Sequence, residues 1–428
     1  MRKAVGILAA LLLAVAVFAS GCIGGGGPTK IVWASTQLNP PEERAFVLNE
    51  LIPPFKDEAG IDVEFVPISY SDLATRLEGE EQSGKVTIDV VADLHGGLDY
   101  FNAKGWLTDL SDKVKTLQGR TFIESYMNYA TDKNGKVFYV PWMSATYVMV
   151  VNKEAFKYLP SGLTEQDVIQ GTEKWTYDAL LAWVKNIYEK TGKKAFGLPA
   201  GPKGLLHRFI HGYLYPSFTG YEAKKFDSSE AIDMWNYFKE LWKYTNPAST
   251  TWDAMADPLL QGEVLIAWDH TARIKNAIVT KPDQFVVVPV PRGPEGRGFI
   301  VVLAGLAIPK NAPHPDEAWK LIDYLTKPET QVKVLEKVGF FPTVKEAANA
   351  VPEGPLKILV EGVTAQSSTK DALIVMIPNL GEKGGEFSGL YREAFKRIVL
   401  QGEDPQKVLG ELGPKLHNLF KEKGIPEP

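Results

Sequence analysis

Three short stretches place side chains able to grip a ligand at the end of a β-prone run. "KIVWAS" carries Trp33 and Ser35 and leads into Thr36 and Gln37; "IDVVAD" ends on Asp93, with His95 just beyond; "VLIAWD" ends on Trp268 and Asp269, with His270 next. An aromatic face stacks on C–H surfaces, while carboxylates, amides and imidazoles exchange hydrogen bonds with hydroxyls. Together these groups suit a polyhydroxylated ligand. Trp142 and Tyr147 flank "MSAT", Trp252 offers a further ring, and Arg208 or His207 a polar group from elsewhere in the chain. Each also has a structural reading: a tryptophan can be core, and Asp93 can cap the helix that follows it.

Other spacings fail on chemistry. His207 and His211 stand four apart, as on a zinc-hydrolase helix, but Arg208 occupies the place of the required glutamate. No metal is expected there. "DKNG" at Asp132 opens like a calcium loop, yet Lys133 and Lys136 follow and no glutamate stands at the twelfth position. "GPEGRG" lacks the Lys-Ser/Thr of a phosphate cradle. Glu80 and Glu81 are adjacent, and helix neighbours do not converge as a glycosidase pair must; Asp93 with Asp269 is the pair that could. No G-x-S-x-G occurs. Binding without catalysis and without a cofactor is the expectation.

These candidates need a scaffold, and 428 residues exceed what one hydrophobic core serves, so two domains are expected. A formal charge of −5 argues against nucleic acid as a partner. Ile7 to Phe18 is an uncharged run after Arg2 and Lys3, shorter than the about 20 residues that span a bilayer. Residues 1–21 therefore read as a secretory signal peptide. "ASGC" at 19–22 looks like a lipobox, with the chain's single cysteine, Cys22, as the lipidated residue. The alternative is ordinary cleavage that leaves or removes a free thiol. Residues 22–29, with Gly24 to Gly27, would form a flexible tether. An exported body without further cysteine must hold by core burial.

Behind the candidates the chain reads β-α-β-α, which predicts a mostly parallel open sheet. Leu48, Leu51, Ile52 and Phe55 share a helical face that Pro53 and Pro54 should end or kink. "NGKVFYVPW" and "TYVMVVNKEAF" read as two strands, the first opened by Asn134-Gly135. Thr176 caps a helix bearing Leu180, Leu181, Val184, Ile187 and Tyr188, ended by Gly192. "QFVVVPVP" and "FIVVLAGLAIP" are strand-like runs either side of a Gly-rich turn. Pro315 opens a helix carrying Ala318, Leu321, Ile322 and Leu325. The tail from Leu356 reads as largely helical.

Four stretches carry a resemblance. "IDVVADLHGGLDYFNAKGWLTDLSD", "GKVFYVPWMSATYVMVVNKEAF", "LLQGEVLIAWD" and "VVLAGLAIPKNAPHPDEAWKLIDYLTKPETQ" are similar, in order and spacing over about 300 residues, to the maltose-binding-like extracellular solute-binding proteins. The resemblance implies an α/β fold of two lobes, of the type II periplasmic-binding kind, closing on a ligand about hinge crossings. It would place residues 30–143 and 303–345 in the first lobe, and 144–302 and 346–428 in the second, with crossings near Trp142 to Ala145, Val301 to Leu303 and Thr343. It implies a carbohydrate ligand, the permease subunits of an ATP-driven importer as partners, a membrane anchor through lipid at Cys22, and a monomer; the alternatives are the same fold binding a polyamine, glycerol phosphate or peptide, and a secreted carbohydrate-active enzyme. Gly305 resembles a glycine that lets backbone approach ligand, although Ala304 replaces a second one. Phe340, Phe341 and Thr343 stand where relatives place an aromatic or arginine near the third crossing.

Overall fold

The computed structural model describes residues 29–378 and 380–428. Residues 1–21, expected to be a signal peptide, and Cys22 with its glycine tether lie outside the described residues. Among those described, no helix is long and apolar enough to cross a membrane.

Nine strands organise the chain: β1 (Lys30–Ser35), β2 (Asp62–Pro67), β3 (Val90–Leu94), β4 (Val140–Asn152), β5 (Phe196–Gly197), β6 (Ile266–His270), β7 (Phe285–Val288), β8 (Arg297–Ala307) and β9 (Ala372–Val375). Their order is β2-β1-β3-β8-β4-β6-β5, with β7 also on β4 and β9 on β8. The expected parallel pairing holds for β1 with β2 and β3, and for β5 with β6. Ladders between β3 and β8, β8 and β4, and β4 and β6 are antiparallel. The long strands β4 and β8 therefore tie two sets of strands into one sheet.

"VFYVPW" and "TYVMVVN" do not form two strands. They merge into β4, whose 13 residues are all buried. The reason is a change of partner: Val140 to Thr146 pair with β8, with an irregularity at Pro141/Met143, and from Tyr147 onward the strand pairs with β6 and β7. Similarly, β7 and β8 flank a Gly-rich turn but pair with β4 and with β3, β4 and β9 rather than with each other. Strand β9 interrupts the helical tail.

The Pro53-Pro54 region shows a different escape from the proline problem. A helix runs over Pro41–Phe46, widens into a π turn at Val47–Leu51, and continues over Ile52–Ala59 with the prolines in its first turn. Proline supplies no N–H, and the prolines follow directly on the π turn, where the Ile52 N–H reaches back to the Val47 carbonyl and the regular ladder is already interrupted. The extra residue in the π turn rotates the face, so Leu48 is 53% exposed while Leu51, Ile52 and Phe55 are buried.

Packing follows strand alternation. Ile31, Trp33, Val90 and Ala92 meet Ala318, Leu321, Ile322 and Leu325 of the helix Pro315–Leu325 in one core. Val148 and Val150 face Ile274, Ile278, Leu359 and Val363 in another. Tyr147, Met149 and Val151, on the opposite face of β4, pack with Trp183, Phe209 and Trp268. Full burial of each large aliphatic side chain contributes about 1.5–3 kcal/mol. Thr176 caps Tyr177–Thr191 as expected, accepting from the Ala179 N–H. On that helix Trp183 is buried and Tyr188 is 40% exposed.

A third segment, around Phe341 to Thr343, is tied to β4. Phe341 exchanges backbone hydrogen bonds with Ser144, at 2.7 and 2.9 Å. Thr343 donates to the Pro141 carbonyl at 2.8 Å and is held by Gln331.

Gly305 sits where β8 pairs Asp93 of β3 and Pro141 of β4. A Cβ there would lie 2.1 Å from Tyr139 Cδ2 and 2.8 Å from Leu98 Cδ1, so the close neighbours are core side chains. Overpacking of this kind costs about 1–3 kcal/mol. Gly305→Ala is therefore expected to lower the chemical-denaturation midpoint by that free energy. Gly96→Ala, with nothing within 4 Å of its Cβ, should leave the midpoint unchanged.

Candidate ligand site between the strand ends

The first wall is built on β3. Asp93 is 3% exposed, and its Oδ1 accepts from Thr36 Oγ1 at 2.5 Å and from the Leu94 N–H at 2.8 Å. Thr36 in turn accepts from Gln37 Nε2 at 2.8 Å. Asp93 thus orients the Thr36–Gln37 turn and leaves Gln37, half-buried, at its edge. The second carboxyl oxygen of Asp93 is buried without a partner, and a Cβ at Gly97 would sit 1.9 Å from it. Burial raises this carboxyl to about 6, against the pull of its two donors.

His95 opens the helix His95–Ala103. Its Nδ1 lies 3.1 Å from the Tyr139 hydroxyl, and its ring meets Tyr129 edge-on at 5.0 Å. Tyr129 donates to the Ile374 carbonyl of β9 at 2.5 Å. A small cavity of about 60 Å³ opens between Leu94, His95 and Gly96 on one side, Val301 to Leu303 of β8, and Met376 and Ile377 after β9.

The second wall begins where β4 leaves β8. Tyr147 lies opposite His270 and diagonal to Trp268, so all three share one face. Tyr147 and Trp268 stack at 5.0 Å with planes 4° apart, and the His270 ring stands on Tyr147 at 4.9 Å. Phe209 and Tyr213 close the back of Trp268. The Tyr147 side chain is 4% exposed, and among the described residues its hydroxyl has no partner. His270 Nδ1 accepts from the Ala272 N–H at 3.2 Å, which leaves the proton on Nε2. Burial, then Arg273, pushes this imidazole down to about 4.

Asp269 faces the other way. Its oxygens accept from the Met255 and His270 N–H groups at 2.9 and 2.7 Å, and burial lifts it to about 7. Trp252, half-buried, borders the loop after Pro199, where its carbonyl accepts from the Gly201 N–H at 2.8 Å.

Arg208, Arg273 and Arg392 surround the same loop. Arg392 Nη2 donates to the Gly204 carbonyl at 2.7 Å, and Arg273 Nη1 to the Asp253 and Lys203 carbonyls at 2.9 and 3.2 Å. Arg208 Nη1 meets His211 Nε2 at 3.2 Å. His211 Nδ1 lies 2.5 Å from Glu222 Oε1, both side chains fully buried. Burial disfavours charge on either partner: the imidazole is held well below its usual range and the carboxyl well above. His207, pushed down to about 3 by burial and by Arg208, Arg392 and Arg273, is neutral. These two histidines are filled by arginine and glutamate contacts, and no metal-holding cluster exists among the described residues.

Of the residues singled out from sequence, Gln37 meets Asp93 through Thr36, and His95 borders the cavity beside β8. Tyr147, Trp268 and His270 share one face, with Trp268 fully buried, while Asp269 lies on the opposite face. Arg208 and Trp252 stand by the loop after Pro199. Trp33 and Trp142 meet each other edge-on at 5.7 Å within the first core. Their indole N–H groups, with that of Trp268, are buried and unpartnered. Phe341 contributes its backbone to Ser144 and its ring to the Val148 core. Sequence reading passed over Arg273 and Arg392. Arg273 stands three residues past His270 and was open to notice; Arg392 reaches the site from 185 residues beyond His207 and carries no local signal.

The model of the bacterial extracellular solute-binding protein family matches residues 40–332, and the chain belongs to that family. An uncharacterized ABC transporter extracellular-binding protein of Pyrococcus horikoshii is 22% identical, covering 97% of this chain and 99% of that one. The spermidine/putrescine-binding periplasmic protein of Escherichia coli is 33% identical over 181 residues, 42% of this chain and 47% of that protein. Among solved structures, the sugar-binding protein MalE from Xanthomonas citri superposes with a TM-score of 0.67 at 16% identity, covering 92% of this chain and 98% of that one. This likeness shows the two-lobed fold.

A raised carboxyl pKa favours the folded state only while the group is protonated. The Asp269 contribution is present below the unfolded value near 3.8 and is lost as pH rises toward about 7. Asp269→Asn keeps an acceptor and removes the titration. Its melting temperature relative to the parent chain should rise between pH 4.5 and 7.5; a constant difference by scanning calorimetry would refute the assignment.

Proposed function

We propose that this chain is the extracytoplasmic receptor of an ABC importer, binding a mono- or oligosaccharide between its lobes and presenting it to the permease subunits. The observation that carries this reading is the Tyr147–Trp268–His270 stack with its unpartnered tyrosine hydroxyl, set where β4 leaves β8. A ring plane and a free hydroxyl together suit a pyranose. Across from it, Gln37 is aimed by Thr36 and Asp93. The lobes we assign are residues 30–143 with 303–345, and 144–302 with 346–428. A ligand touching both walls contacts the closed form more than the open one, and so shifts the population toward closure. Members of the family bind solutes and do not transform them, and we assign no catalytic residue, cofactor or metal here.

A polyamine ligand, which the Escherichia coli relative's name suggests, is disfavoured by charge. A polycation would meet Arg208, Arg273 and Arg392 on the second wall.

Calorimetric titration of the chain from residue 23 with glucose, maltose, trehalose, cellobiose, chitobiose, raffinose and spermidine tests the reading. Saturable one-to-one binding of a saccharide, with no product released, is expected. Tyr147→Ala should weaken it at least about tenfold, or 1.4 kcal/mol. Binding of spermidine alone would sink the carbohydrate assignment.

We also propose a lipid anchor at Cys22, supported by the "ASGC" sequence and the glycine tether. In a host that processes lipoproteins, Cys22→Ser should move the exported chain from the membrane fraction to the soluble one. An unchanged distribution would rule the anchor out.

A further inference from the structure

We propose that the cargo is an anionic carbohydrate, bearing a carboxylate or phosphate, and that Arg208, Arg273 and Arg392 receive the charged group. The proposal rests on the reading of the cleft as a carbohydrate site and narrows its ligand.

The first observation is a charge imbalance. Arg76, Arg120, Arg292, Arg297 and Arg397 each have a carboxylate within salt-bridge distance. Among the described residues Arg208, Arg273 and Arg392 have none, although acidic residues outnumber basic ones 52 to 47 in the chain. Arg44 shares this lack but is exposed, where water serves it. The three site arginines are half-buried and lie close enough together that all act on His207. Like charges brought together out of water are costly unless an anion joins them.

The second observation is how they are held. Arg273 and Arg392 are fixed through neutral carbonyls of residues 203, 204 and 253, and Arg208 through a histidine nitrogen. The arginines therefore keep their geometry without a counter-ion and retain unused N–H groups on their forks. A planar fork with spare donors matches carboxylate or phosphate oxygens.

The third is what surrounds them. Buried Asp269 and Glu222 both have carboxyls shifted upward, so they offset the positive field weakly. Asp253 acts on Arg392, and its Oδ1 already accepts from the Lys203 N–H at 2.8 Å. The Tyr147 hydroxyl, on a side chain 4% exposed and unpartnered, lies in the field of Arg208 and Arg273. It can donate to the same anion while its ring faces the sugar.

Matched pairs test this on the exported chain: glucose against glucuronate and glucose 6-phosphate, and a neutral disaccharide against digalacturonate. Inorganic phosphate, glycerol 3-phosphate and spermidine complete the set, read by calorimetry at low and moderate salt. An acidic member should bind at least tenfold tighter than its neutral parent, and the margin should shrink with salt. Glucuronate against glucose 6-phosphate then tells a carboxylate cargo from a phosphate one. Arg208→Gln should erase most of the margin with little change in melting temperature, because its one bond within the protein is to His211. Arg273→Gln, which also releases the 203–253 loop, is the supporting variant. A neutral parent binding as tightly as its acids overturns the proposal but leaves the carbohydrate receptor standing. Glycerol 3-phosphate or inorganic phosphate matching the acidic sugars keeps the basic wall and removes the carbohydrate. Binding of spermidine, or of no acidic member, overturns the proposal outright.

Discussion

The antiparallel ladder between β4 and β8 is the contact on which the rest of this molecule depends. It runs from Val140 with Leu306 to Thr146 with Val301, and beyond Thr146 and Val301 the two strands turn to different partners. Because backbone hydrogen bonds in a buried ladder must be paired, the two halves of the sheet cannot separate at this seam without leaving polar groups unsatisfied. Motion is thereby confined to changes of twist around it. The Ser144–Phe341 pair and the Thr343 contacts to Pro141 and Gln331 add a third strap over the same stretch.

That seam also decides where ligand-facing groups can lie. Side chains alternate along β4, so moving from Thr146 to Tyr147 passes from a hydroxyl tied to the Ile300 carbonyl to a ring stacked on Trp268. The end of β3 delivers Asp93, which holds the Thr36–Gln37 turn through Thr36 and also accepts from the Leu94 N–H. One wall is organised by a buried carboxyl and the other by an aromatic stack ringed with arginine.

Much of the fold was legible because it follows local rules. The cap at Thr176, the proline start of Pro315–Leu325 and the β-α-β-α opening all appear where capping, φ restriction and strand alternation place them. The merging of two apparent strands into β4 was not legible, since "PWMSAT" contains a proline and small polar residues that usually interrupt a strand. There the irregularity at Pro141/Met143 absorbs the missing donor, and two different sets of partners satisfy the rest. Leu48 was misplaced because a π turn inserts a residue into the helical period, a shift that periodicity alone does not reveal.

Sequence by itself determined which residue types end β3 and β6, and hence that Asp93, Trp268 and His270 stand at strand ends, whereas Tyr147 lies inside β4. It also determined, through its motif order, membership in a family of solute-binding proteins. Only the tertiary structure decided how deeply the aromatics are buried: Trp33 and Trp142 pack against each other in one core, and Trp268 is equally buried in another, stacked on Tyr147. It alone brought Arg392 beside His207 and, among the described residues, left three half-buried arginines without a carboxylate at salt-bridge distance. The physical reason is that strand-end chemistry is set by neighbours in the chain, whereas burial and charge balance are sums over residues that only folding brings within reach of one another.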